Sequence, residues 1–243
     1  VITVVDYGMG NLRNVRRALE EVGVGVIVTA DPVAVREATT VILPGVGAFG
    51  EALRRIDGLG LRVPIMEHVF RGKPLLGICL GLQLLFESSE ESPGVQGLGI
   101  LPGAVCRFRG ELPVPHIGWN DVDPTRRSVL FPDGGGVFYF VHSYYAAESD
   151  ASIAVTEYGI RFASAVQKEN VFGVQFHPEK SQAAGLSLLR SFSAQRGGEG
   201  TRAKPATSGK TATRAKTATS EKTAVSVRTA TSAKTATSVK PGD

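Results

Sequence analysis

The chain has 243 residues, a formal net charge of +4, 42% hydrophobic residues and two cysteines. That composition supplies a sizeable buried core, while no apolar run approaches the ~20 residues of a membrane-spanning helix, so no membrane partner is expected. Two cysteines are too few for a disulfide framework and cannot form a zinc site alone, which points to a reducing, cytoplasmic setting.

Residues 1–5 form a short β-rich apolar run without the basic and long apolar segments of a signal peptide. Residues 11–22 carry Leu12, Val15, Ala18, Leu19 and Val22 at helical spacing, with Gly23 placed to stop the helix. A strand over 24–29 leads through Asp31-Pro32 into a short helix over 33–38, and 40–43 reads as a third strand. Residues 64–71 can be helical, 74–78 read as a buried strand, and 80–87 read as helix. Strand alternating with helix predicts a parallel sheet covered on both faces. The second half changes character: 99–108, 137–146, 153–157, 162–167 and 171–176 are strand-like, and 181–194 closes the domain as an amphipathic helix. The expected fold is a doubly wound α/β sheet with added antiparallel strands over residues 1–196.

From Gly197 onward the composition shifts. A basic residue recurs every sixth position from Lys204 to Lys240 among Thr, Ala and Ser, without any aromatic, Leu or Ile. Such repeats bury too little apolar surface to offset chain entropy, so 197–243 is expected to be a disordered low-complexity tail. Nine basic against three acidic residues give this segment +6 and leave −2 on the first 196 residues. The basicity therefore belongs to the tail, where it could support only weak, nonspecific attraction to nucleic acid.

The most informative segment is Gly77-Ile78-Cys79-Leu80-Gly81, where a buried strand meets a helix. It is the thiol counterpart of the Gly-x-Ser-x-Gly nucleophile elbow. The helix N-terminus favours a thiolate at Cys79, and the Leu80 N–H would face an acyl oxyanion. Cys106, in a strand-like run, is read as a structural cysteine. A nucleophile needs a base and the base an orienting group. His177-Pro178-Glu179 offers both at a strand end, because extended residues i and i+2 project to the same side roughly 6.5 Å apart. His68 and His116 lack such a partner and are read as core or surface histidines. The Gly45-Val46-Gly47 loop, directly after a strand, lacks the Lys-Ser/Thr of a P-loop. Beside an elbow, supplying N–H groups from Val46 and Gly47 to an oxyanion is its better reading.

Pro44-Gly45-Val46-Gly47, Gly77 to Gln83 and Gly173 to Glu179 together resemble class I, triad-type glutamine amidotransferases. With the segments 6–12, 115–120, 139–144 and His177 to Ser181, the chain resembles, within that class, the glutaminase subunits of imidazole glycerol phosphate synthases. The resemblance spans residues 1 to about 195. It implies a flavodoxin-like fold, no cofactor or metal, and hydrolysis of glutamine through a γ-glutamyl thioester on Cys79. His177 would act as acid and base, Glu179 would hold the imidazole, and Leu80 with Val46 or Gly47 would stabilise the oxyanion. Gly45, Gln83, Glu91, Ser143 and Tyr144 would hold the substrate's amino and carboxylate groups. Ammonia would pass to a (β/α)8-barrel cyclase subunit in a heterodimer, met by Asn11, Trp119, Tyr139 and Lys180. For Trp119 and Tyr139 ordinary core packing is the competing expectation.

Three other readings stand beside this one. A different class I amidotransferase would share the His-Pro-Glu ending but not the segments 6–12 and 116–120. A stand-alone cysteine hydrolase would need no barrel partner, and a noncatalytic polyanion binder would not need Cys79, His177 and Glu179 intact.

Overall fold

The computed structural model describes residues 1–195, and the disorder expected of 197–243 lies outside them. The first half alternates as read: β1 (Ile2–Val5), α1 (Leu12–Glu21), β2 (Val26–Thr29), α2 (Pro32–Glu37), β3 (Val41–Gly45), α3 (Phe49–Gly58), α4 (Arg62–Phe70), β4 (Leu75–Cys79) and α5 (Leu80–Leu84). Then come β5 (Phe86–Ser89), β6 (Leu101–Arg107), β7 (His116–Pro124), β8 (Gly136–His142), β9 (Tyr144–Ala146), β10 (Ser152–Tyr158), β11 (Ile160–Lys168) and β12 (Val171–Val174). A 3-10 turn, Pro178–Lys180, and α6 (Gln182–Ser193) follow.

The sheet runs β2-β1-β3-β4-β12-β11-β10-β7-β8. Its first five strands are parallel, and β11, β10, β7 and β8 continue it antiparallel. β6 and β9 form a branch off β11, with β5 pairing β6. Because successive strand residues face opposite sides, the buried strands feed two cores. Ile2, Val4, Ile42, Leu76 and Ile78 meet Val15, Leu19, Leu188 and Phe192 of α1 and α6 on one side. Val5, Val41, Leu43 and Leu75 meet Val35, Leu53, Ile56 and Ile65 of α2, α3 and α4 on the other. Gly23 ends the first helix with φ +82°, a left-handed conformation natural to glycine. Asp31 caps α2 by accepting a hydrogen bond from the Val33 amide at 2.9 Å.

The helix expected over 80–87 stops at Leu84, and residues 86–89 are a strand instead. Ser88 and Ser89 are poor helix formers, and parallel pairing of Phe86, Ser88 and Ser89 with β6 overrides the helical pattern of the apolar residues before them. Two elements went unread. α3 buries Phe49, Ala52, Leu53 and Ile56, a full i, i+3, i+4, i+7 stripe that the preceding glycine-rich loop obscured. β7, which pairs with β8 from His116 to Val122, carries the segment 116–120.

Candidate active site

β3, β4 and β12 lie side by side, with Gly45 registered on Cys79 and Val174 on Ile78. The carboxyl ends of these strands therefore bring Cys79 and the segment that follows β12 to one edge of the sheet, where open α/β sheets place their ligand sites. Cys79 has φ 54° and ψ −108°, a conformation rare for any residue with a Cβ. The flanking glycines make the turn possible. A Cβ on Gly77 would stand 2.6 Å from the Gly81 carbonyl oxygen, and one on Gly81 would overlap the Leu43 carbonyl. Leu80 opens α5, so its amide belongs to the first turn of a helix, which has no intrahelical acceptor.

The side chains of His177 and Glu179 are both 2% exposed, and His177 Nδ1 lies 2.8 Å from Glu179 Oε1. The carboxylate can only accept, so Nδ1 carries the hydrogen and Nε2 is the nitrogen left for the thiol. Nε2 and Glu179 Oε2 have no hydrogen-bond partner among the described residues. Burial works against charging the imidazole, yet the Cys79 sulfur and the Glu179 carboxylate outweigh it and hold the group up at about 10. The arrangement makes His177 the base that can take the Cys79 proton and so activate the sulfur as a nucleophile. Tyr7 closes the floor: its hydroxyl donates to Pro44 O at 2.7 Å, and burial together with the Cys79 sulfur pushes its phenol upward.

A pocket of about 330 Å³ is lined by Cys79 together with Val46, Gly47, Leu80, Val141, Ser143 and Tyr144. Gln83 and Glu91 also line it. Gln83 Nε2 donates to Tyr144 O at 3.0 Å and to Gln175 Oε1 at 3.1 Å, so only its carbonyl oxygen is free to face a ligand. Glu91 Oε2 accepts from the Phe49 amide at the start of α3 at 2.7 Å, leaving the other oxygen for a cationic group. Gly45 does not line the pocket; it is buried beneath it, where a Cβ would run into the Tyr7 hydroxyl and Leu80.

The surface residues separate from this pocket. Trp119 and Tyr139 are cross-strand partners in the β7–β8 hairpin, with rings 6.0 Å apart edge to face. Lys180 Nζ sits 5.3 Å from the Tyr139 ring centre. Trp119 is 49% exposed, which removes core packing as its explanation, and Ile117 and Val137 are exposed on the same hairpin. Asn11 caps α1 with its backbone but makes no side-chain capping bond. His68 and His116 are buried as read, and burial lowers both to about 4. Cys106 lies on β6, its thiol pushed upward by burial and by Glu90, and does not line the Cys79 pocket.

Gln175 was missed as a site residue. It is fully buried, and its Nε2 lies 3.7 Å from Cys79 Sγ. An amide inside the apolar run 171–176, two residues before the histidine, was the signal available.

The family model "Glutamine amidotransferase class-I" matches residues 3–195. The imidazole glycerol phosphate synthase subunit HisH of Syntrophotalea carbinolica is 49% identical over 203 residues, covering 79% of this chain and 98% of that protein. The subunit of the same description from Thermococcus kodakarensis is 52% identical over 200 residues, again covering 79% and 98%. Among solved structures, a crystal structure of a glutamine amidotransferase superposes with a TM-score of 0.64 at 20% identity, covering 79% of this chain and 97% of that one, a likeness of fold.

Proposed function

The chain belongs to the class I glutamine amidotransferase family, and from that premise we propose that it hydrolyses glutamine at Cys79 as the glutaminase subunit of an imidazole glycerol phosphate synthase. The observation that carries the reading is the buried His177–Glu179 pair beside a cysteine in a strained strand-to-helix turn.

The thiolate attacks the side-chain amide carbon, and the negative charge moves to the amide oxygen. The Leu80 N–H and an N–H of Val46 or Gly47 stabilise that oxygen. His177, having taken the thiol proton, is the acid that faces the intermediate. It protonates the departing nitrogen, ammonia leaves, and a γ-glutamyl thioester remains. His177, now neutral, takes a proton from water, which attacks the thioester, and glutamate departs as Cys79 recovers its sulfur charge. Glu179 keeps the ring oriented and stabilises each cationic state. Glu91, through its free oxygen, suits the substrate's ammonium, while Gln83, Ser143 and Tyr144 hold the rest of its polar end. Gly45 contributes by letting Leu80 and Tyr7 approach beneath the pocket.

Ammonia passes to a cyclase subunit, a (β/α)8 barrel, that docks on the hairpin face carrying Trp119, Tyr139 and Lys180, with Asn11 at its margin. The exposed aromatic and aliphatic side chains of that face support the assignment. A cytoplasmic location goes with this reading, since the thiol works only when reduced. Residues 1–196 form the catalytic domain and 197–243 a separate extension.

A γ-haloketone analogue of glutamine tests the chemistry. It should alkylate Cys79, located by peptide mass spectrometry, and excess glutamine should protect. Labelling of Cys106 in preference to Cys79 would contradict the assignment.

A further inference from the structure

Three polar side chains connect the β7–β8 hairpin to the wall of the thiol pocket, and the donors and acceptors at both ends leave only one direction for their hydrogen bonds. Asn120 Oδ1 accepts from the Asp121 amide at 2.8 Å, and its Nδ2 donates to Glu157 O at 3.0 Å, which fixes the amide's orientation. Its second Nδ2 hydrogen faces His116 Nε2 at 3.3 Å. At the far end His142 Nδ1 lies 2.8 Å from Tyr144 O, a carbonyl that can only accept. His142 therefore carries its hydrogen on Nδ1 and presents Nε2 as an acceptor. His116 Nδ1, 3.1 Å from that Nε2, must be the donor. Every hydrogen in the chain points the same way, from the hairpin toward Tyr144 O. The same oxygen accepts from Gln83, which in turn donates to Gln175, which donates to Cys79 Sγ.

Packing holds the chain rigid. The His116 ring is stacked between Tyr158 at 4.0 Å and Phe140 at 4.9 Å, and Phe108 lies 5.2 Å from His142. Burial lowers His116 to about 4 and His142 to about 3, so both rings stay neutral near pH 7, as a one-way chain demands.

We propose that Asn120, His116 and His142 are positioning residues for glutamine: a directed hydrogen-bond chain from the hairpin that sets the pocket wall of residues 141–144. None of the three needs to touch the reacting atoms. Asn120 is next to Trp119, so whatever grips the hairpin face bears on the first link, and the last link fixes the carbonyl shared with Gln83. The inference rests on the glutaminase reading for its ligand, but the hydrogen positions can be read without it.

The test uses the full chain with its cyclase subunit. Nitrogen-15 NMR of the imidazoles should find both His116 and His142 as neutral Nδ1–H tautomers at pH 7. Asn120→Asp puts an acceptor opposite His116 Nε2 and should convert that ring to the Nε2–H or doubly protonated form, a change that loss of packing alone would not produce. In steady state, His142→Leu should raise KM for glutamine about tenfold or more while kcat falls less than about threefold, the mark of a misplaced binding wall. His142→Gln can donate to Tyr144 O and accept from His116, and should recover most of the lost KM. An Nε2–H tautomer at His142 in the unaltered chain, or an unchanged KM in a folded His142→Leu protein, would overturn the proposal. Wild-type glutamine hydrolysis, measured alongside, tests the glutaminase reading separately.

Discussion

Cys79 and His177 each depend on the other, and substitutions should expose the dependence. Cys79→Ala removes the nucleophilic sulfur from the pocket and should lower glutamine hydrolysis by about 10³-fold or more. Cys106→Ala, outside that pocket, should leave turnover within about twofold of wild type in the same assay. Glu179→Gln keeps the shape but removes the negative charge facing Nδ1, and turnover should fall by about 10²-fold. The same change should move the His177 titration, followed by imidazole NMR, downward from its present position near 10. An unmoved titration would place the third member of the triad elsewhere.

At the scale of elements, the turn between β4 and α5 and the β7–β8 hairpin carry separate tasks. Gly81→Ala drives a methyl group into the Leu43 carbonyl. It should lower stability by several kcal/mol, read from urea unfolding, because backbone on both sides of the elbow would have to move. Trp119→Ala should leave urea unfolding nearly unchanged and weaken association with the cyclase by about 10–100-fold, measured by titration calorimetry. Much of this arrangement was legible in the sequence. The Gly-x-Cys-x-Gly junction and the His-Pro-Glu spacing encode their geometry locally, and α1 and β4 follow from period and apolar run. What was not legible depends on contacts between distant segments. β5 becomes a strand only because β6 lies beside it. Glu91 reaches the site by capping α3, a helix 42 residues earlier in the chain. His116 reads as an isolated core histidine until the hairpin register sets it opposite His142.

For the whole molecule, histidine burial sets how stability varies with pH. His68, His116 and His142 have folded values lowered to about 4, 4 and 3. Their contribution is full above the unfolded value of about 6.5 and is lost as pH falls toward 4 and then 3. His177 is raised to about 10, so its contribution is full below about 6.5 and is lost as pH rises through 10. Calorimetric scans should therefore show Tm falling on both sides of a broad neutral maximum. Deleting residues 197–243 shifts formal charge from +4 to −2. It should leave Tm and glutaminase activity nearly unchanged, since α6 ends at Ser193. The deletion should also abolish any steeply salt-dependent binding to nucleic acid. The central claim, that this chain supplies ammonia from Cys79 to a second subunit, is tested most directly by assaying cyclase product with Cys79→Ala protein in the complex. Glutamine-driven synthesis should fall to background while synthesis from added ammonium salt continues at the wild-type rate. Undiminished glutamine-driven synthesis would contradict the account.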